Sequence, residues 1–211
     1  MNSTTAKQSL AIGVTGGIGS GKSEVCRIFS SFGASVLYAD VIAKELLDSN
    51  KTVRQRVQRS FGDELYSPDG TLNRKQMARI IFTDDSAKEK INNIVHPLVL
   101  ECLQTKIEQF KKNGDGSLLL VEAALLYEAN ADAMFDYMIV VDADKELKID
   151  RVTKRDQSTR TEVLRRMNAQ MSVKEKNELG DFIIKNSGDK AALESNCRFL
   201  FNLLTTMTKV K

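Results

Sequence analysis

The sequence predicts a three-layer α/β/α fold, with helices on both faces of a central parallel sheet. Three observations predict it. Five short apolar runs have strand length, helical periodicity recurs between them, and a glycine-rich loop joins the first run to the first helix.

Taken in order, Leu10 to Val14 is an apolar run ending in glycines, the pattern of a buried parallel strand. From Gly21 onward Val25, Ile28, Phe29 and Phe32 recur at helical spacing, and Gly33 offers a left-handed stop. Ala34 to Tyr38 reads as a second strand, with Asp40 just past its end and a helical pattern of Val41, Ile42, Leu46 and Leu47 beyond. Through the middle of the chain the groups Val53/Val57/Phe61, Met77/Ile80/Ile81, Ile91/Ile94/Val95 and Leu98/Cys102/Leu103 all keep helical spacing. They predict a helical lobe, about 50–112, inserted between sheet strands. Asn113-Gly114-Asp115-Gly116 punctuates its end. Strand character returns at Ser117 to Glu122 and Tyr137 to Asp142. A basic stretch, about 150–170, follows as a candidate lid. Phe182 to Lys185 is a last strand, before a helix with Leu193, Cys197, Leu200 and Leu204 on one stripe.

A length of 211 residues suits a single domain carrying a lobe, and 42% hydrophobic with 28% charged residues excludes disordered and collagen-like classes. The 31 Lys and Arg against 28 Asp and Glu leave a net charge of +3, too even to argue for nucleic acid or a membrane surface as partner. No apolar stretch approaches the roughly 18 residues of a membrane span, and the first ten residues have no apolar signal core, so a cytoplasmic protein is expected. Cys26, Cys102 and Cys197 lie far apart in an odd count, which fits reduced, packing thiols.

Gly16-Gly17-Ile18-Gly19-Ser20-Gly21-Lys22-Ser23 matches G-x-x-x-x-G-K-[ST] without a gap, between a predicted strand and a predicted helix. The glycines let consecutive backbone N–H groups aim at phosphate oxygens through conformations a Cβ would obstruct. The helix N-terminus adds its positive end. Lys22 is then the cation for the β- and γ-phosphates of ATP, and the Ser23 hydroxyl a ligand for Mg²⁺. A regulatory GTPase would need N-K-x-D and D-x-x-G, and a transporter ATPase an L-S-G-G-Q-like signature. None occurs, which leaves a small kinase.

A kinase also needs a group to orient or deprotonate the acceptor and cations for the transferred phosphoryl group. Asp40 lies where ligands collect in such sheets, outside the carboxyl end of a strand; a plain helix N-cap is its alternative. Arg151, Lys154, Arg155, Arg160, Arg165 and Arg166 supply lid cations, with a solvated helix face as the alternative for most of them. Glu122, ending the third strand, is placed to hold a Mg²⁺-bound water, or is an ordinary strand-end carboxylate.

Together these residues resemble the dephospho-coenzyme A kinase family over nearly the whole chain. The resemblance rests on VTGGIGSGKS (Val14 to Ser23), Ala39-Asp40, FGDELYSPDGTLNRKQMARIIF (Phe61 to Phe82), IVHPLV (Ile94 to Val99), LLYE (Leu125 to Glu128), RVTKRD (Arg151 to Asp156), Gln170 and IIKNSG (Ile183 to Gly188). It implies a P-loop kinase that phosphorylates the ribose 3′-hydroxyl of dephospho-coenzyme A with ATP and Mg²⁺, as a monomer or small homo-oligomer. By the same resemblance Gly16, Gly17, Gly19, Ser20, Gly21, Lys22 and Ser23 bind the nucleotide, and Asp40 acts on the acceptor hydroxyl. Arg155, with weaker support for Arg151, belongs to the lid, Arg74 and His96 to the acceptor lobe, and Asn186 lies by the nucleotide. A structural histidine before Pro97 is the alternative for His96. The chain departs from the family pattern at Tyr38, where an Asp is usual, at Lys44 for Arg, and at Ala124 for Pro. Losing that proline is expected to free the loop backbone after Glu122.

Overall fold

A computed structural model describes residues 8–113 and 117–208, the side chains at 82, 83, 85 and 113 excepted; the predicted Gly-rich punctuation at 114–116 lies outside them. The chain divides into two compact units, one of residues 1–38 and 107–211 and the other Ala39–Lys106.

The first unit holds a five-stranded, wholly parallel sheet in the order β2-β3-β1-β4-β5. Its strands are β1 (Leu10–Thr15), β2 (Ser35–Tyr38), β3 (Leu118–Glu122), β4 (Tyr137–Asp142) and β5 (Phe182–Lys185). Every residue of β1 is buried, as a central strand covered on both faces requires. Alternate residues Leu10, Ile12, Val14, Leu118, Leu120, Ile139 and Val141 face helices α1 (Lys22–Ser31) and α9 (Lys190–Met207). Those helices return Val25, Ile28, Phe29, Leu193, Leu200 and Leu204 to the same core. Gly33, at φ 104°, ends α1 in the left-handed conformation its position predicts. Gly13 and Met138 alternate with these residues, and a Cβ on Gly13 would stand 2.4 Å from the Met138 sulfur. The chain enters the sheet next to the point where strand order reverses, between β3 and β4, and a ligand crevice opens at such a point.

Register puts Tyr38 beside Glu122, Glu122 beside Val14, and Asp142 beside Lys185, so one edge of the sheet collects the carboxyl ends of all five strands. The basic stretch folds as α6 (Lys145–Asp156) and α7 (Arg160–Asn168), followed by the short α8 (Val173–Leu179). A capping box opens α7, with Thr159 and Glu162 exchanging hydrogen bonds, and another opens α8 through Ser172 and Glu175.

The second unit is helical: α2 (Ala39–Ser49), α3 (Lys51–Phe61), α4 (Arg74–Thr83) and most of α5 (Asp85–Asn113). Asn50 and Asn73 cap α3 and α4, accepting from Val53 N–H and Gln76 N–H, each at 3.0 Å. Helix α5 runs 29 residues straight through Pro97, which has no N–H to offer the carbonyl four residues back. Ile91, Val95, Val99 and Leu103 stay buried on one stripe across that break, and packing holds the helix together where the ladder is interrupted.

Candidate active site

The loop between β1 and α1 is shaped by contacts that only glycine allows. Gly16, Gly19 and Gly21 have φ of 145°, 79° and 93°. A Cβ on Gly16 would stand 2.1 Å from the Val141 carbonyl oxygen, and one on Gly19 2.5 Å from that of Lys148. Lys22, buried, folds back across the loop and donates from Nζ to Gly16 O at 3.0 Å and Gly17 O at 3.4 Å. The Ser23 hydroxyl donates to Glu122 Oε2 at 3.1 Å. The Ser20 hydroxyl is buried with no hydrogen-bond partner among the described residues.

Two side chains brace the loop from outside. Asn186, just past β5, donates from Nδ2 to Ser20 O at 2.8 Å. Arg151 on α6 donates to Asn186 O at 3.0 Å and reaches Gly19 O and Ser20 O at 3.5 Å. Arg155, one turn further along α6, is turned elsewhere: its Nε and Nη2 donate to Asp156 at 2.6 and 3.0 Å, and Arg166 joins the same carboxylate at 2.8 Å. Hydrogen bonding from Arg155, reinforced by Arg166, holds the Asp156 carboxyl down at about 2. Arg160 pairs with Glu146. Of the basic stretch, then, Arg151 is the side chain hydrogen-bonded to the phosphate loop, while Arg155, Arg160 and Arg166 hold surface carboxylates.

Beneath the loop lies Cys26, whose thiol is pushed up by burial and then by Glu122, so it stays protonated and packs. Tyr38, where the family pattern has Asp, packs against the core and is also pushed up, first by burial. The Ala124 departure has a different outcome from the one expected. Although no proline stiffens it, the backbone after β3 is not loose. Ala123 N–H donates to Val14 O at 3.1 Å, and Ala124 O accepts from Thr15 Oγ1 at 3.2 Å and Lys176 Nζ at 2.7 Å.

Within the helical unit, Asp40 is exposed in the first turn of α2, the second residue of the helix and not the residue before it. His96 lies close enough to feel its charge. Burial lowers the His96 pKa, Asp40 opposes, and burial wins, leaving the imidazole neutral near pH 7. Arg74 donates to Asp48 of α2 at 2.5 Å with both side chains about half exposed, and Lys44 is exposed on the same helix.

Sequence reading missed three polar supports. Gln170 accepts the Ile18 N–H at 3.0 Å, Lys176 is fully buried, and Lys148 is buried on Asp142 at 3.2 Å. Gln170 stands out in the family resemblance, without a role. The two lysines sit in charged stretches and carry no signal that separates them from solvated neighbours.

The model of the family described as dephospho-CoA kinase matches residues 10–192. The chain belongs to the dephospho-CoA kinase family. It is 36% identical over 203 residues to the dephospho-CoA kinase of Chlorobium chlorochromatii, covering 94% of this chain and 95% of that one. Against the dephospho-CoA kinase of Salinibacter ruber identity is 41% over 177 residues, with 84% and 88% covered. The solved dephospho-CoA kinase of Campylobacter jejuni superposes with a TM-score of 0.73 at 27% identity, over 94% of this chain and 98% of that one. Dephospho-CoA kinases carry out the last, ATP-dependent step of coenzyme A synthesis, and the P-loop and parallel sheet described above are the parts such a kinase needs.

Proposed function

We propose that this chain transfers the γ-phosphoryl group of ATP to the ribose 3′-hydroxyl of dephospho-CoA, in a cytoplasmic setting that its three free cysteines suit. The observation that carries the reading is the glycine-built loop with Lys22 folded across it and Ser23 bonded to Glu122. Backbone N–H groups and the start of α1 take the phosphates, Lys22 swings from the loop carbonyls to the β- and γ-oxygens, and Asn186 and Arg151 hold the loop in shape. A hydroxyl beside a carboxylate is hard-oxygen chemistry of the kind magnesium takes. Among the described residues no three His, Cys, Asp or Glu side chains cluster into a metal cage, so Ser23 and Glu122, directly or through water, would hold Mg²⁺ alongside nucleotide oxygens. When bound, the ion neutralises charge on the transferred group.

Asp40 takes the acceptor proton as the 3′-oxygen attacks phosphorus in line and the bond to ADP breaks. A neutral His96 beside it suits that role, because an imidazolium there would weaken the base. Arg74 and His96 contact the acceptor from the helical unit, which serves as the acceptor lobe. Arg155 is the mobile lid cation. Its pair with Asp156 is exposed, and such pairs contribute only about 0.2–1 kcal/mol, little enough to exchange for a phosphate.

Steady-state kinetics with a parallel nucleotide-binding measurement tests these roles. Asp40→Asn is expected to lower kcat by about 10²- to 10⁴-fold with ATP affinity unchanged. Full turnover in that variant would remove Asp40 from the mechanism.

A further inference from the structure

The described part of the molecule contains one lysine with no exposed surface at all, Lys176 on α8. Its ammonium donates to Ala124 O at 2.7 Å and pairs with Glu128 Oε1 at 2.9 Å. The same carboxylate oxygen accepts the Met171 N–H at 2.9 Å, and Ala124 O also accepts from Thr15, the last residue of β1. One residue before Met171, Gln170 accepts the Ile18 N–H of the phosphate loop at 3.0 Å. Val173, which opens α8, lies against Gly17: a Cβ built there would stand 3.8 Å from the valine methyl. Residues 170–176 thus form a bracket with one end on the phosphate loop and the other on the backbone after β3.

A buried ammonium is an expensive way to fill space. A well-packed apolar residue of similar volume is commonly as stabilising as a buried ion pair, so what the charge adds here is a fixed position. Its two acceptors belong to a five-residue stretch that has lost its family proline, and one of them is the carbonyl of the residue standing in the proline's place. The other end of the bracket orients the amide of Ile18, in the centre of the loop.

We propose that Lys176 is a positioning residue for nucleotide binding. It clamps α8 to the Ala124–Glu128 backbone and thereby holds the Gln170 carbonyl against Ile18, setting the shape of the phosphate loop before ATP arrives. The proposal rests on the phosphate-loop reading above and not on the identity of the acceptor.

A double-mutant cycle on the full chain tests it, reading the affinity for AMP-PNP with magnesium by calorimetry well below the unfolding temperature. Lys176→Met and Gln170→Ala are each expected to weaken binding about tenfold, and the double variant no further than about tenfold, because both act through the same bond. A folded Lys176→Met with wild-type affinity, or losses that multiply to about a hundredfold, would overturn the proposal, since a merely structural lysine has no reason to couple to Gln170. Should Lys176→Met not fold, Glu128→Gln takes its place in the cycle: a loss shared with Gln170→Ala supports the clamp, and no loss or an independent one rejects it. Because no acceptor is present, a chain that shows this coupling yet forms no coenzyme A would contradict the proposed function and leave the role of Lys176 standing.

Discussion

Gly16 and Gly33 are both left-handed or nearly so, yet they answer to different physics. Gly33, at φ 104°, has nothing within 4 Å of where a Cβ would sit, so alanine there bears only the backbone penalty of about 1 kcal/mol. Gly16 meets the Val141 carbonyl at 2.1 Å, a rigid strand atom that cannot yield cheaply. Gly16→Ala is therefore expected to lower the melting temperature clearly more than Gly33→Ala, by about 4–8 °C against about 2–4 °C, in thermal unfolding followed by circular dichroism. Gly16→Ala should also cost nucleotide affinity, and Gly33→Ala should not. The glycines, Lys22 and Ser23 were legible because a phosphate loop dictates residue type along the chain. Lys176 and Lys148 were not, since what distinguishes a buried lysine from a solvated one is its partner in the fold, Ala124 fifty-two residues away for Lys176 and Asp142 across a strand-to-helix turn for Lys148. Arg151 and Arg155 lie one helical turn apart in one basic run, and no sequence pattern says which of them bends toward the loop.

Asp142 organises three elements at once. It ends β4, its carboxylate takes Lys148 of α6 and Lys185 of β5, and its carbonyl accepts the Asn186 N–H at 2.7 Å, so the supports carrying Arg151 and Asn186 are tied together beneath the phosphate loop. Burial pushes this carboxyl up, but hydrogen bonds from Lys185 and Lys148 outweigh it and the net shift is downward. A carboxyl lowered in the fold stabilises it above the ordinary range near about 4, and that stabilisation fades as pH falls below it toward the folded value. Asp142→Asn is expected to cost about 3 kcal/mol at pH 7, mainly by leaving the Lys148 ammonium buried without its counter-charge. In urea unfolding the gap between variant and wild type should narrow below about pH 4; a gap that persists undiminished would remove Asp142 from this linkage. Helices α6 and α7 are expected to gain amide protection when ATP and acceptor bind together, and an unchanged exchange pattern over 150–170 would argue against their acting as a lid. Among elements, the strands were read to within a residue or so, because a buried parallel strand is a continuous apolar run that needs no partner to be seen. The continuity of α5 through Pro97 was not foretold by local chemistry, since proline marks a break and only the buried stripe on either side overrides it.

At the scale of the molecule, the proposed function would divide its labour between the two units. The sheet unit carries the phosphate loop, Glu122, Arg151 and Asn186, and the helical unit carries Asp40, His96 and Arg74. Asp40 is the second residue of the helical unit, two residues after Tyr38 ends β2. The sequence pattern predicts a helical lobe at about 50–112, and the second compact unit spans Ala39–Lys106, with α2 packed on α3. The central claim is that this chain makes coenzyme A by moving one phosphoryl group from ATP to the 3′-hydroxyl. Mass spectrometry of the products from purified protein, Mg²⁺-ATP and dephospho-CoA tests it most directly, with fragmentation to locate the new phosphate and Lys22→Ala as control. The account predicts a 3′-phosphorylated product formed with ADP and absent in the control; ADP release without that product, or a phosphate placed elsewhere, would contradict it.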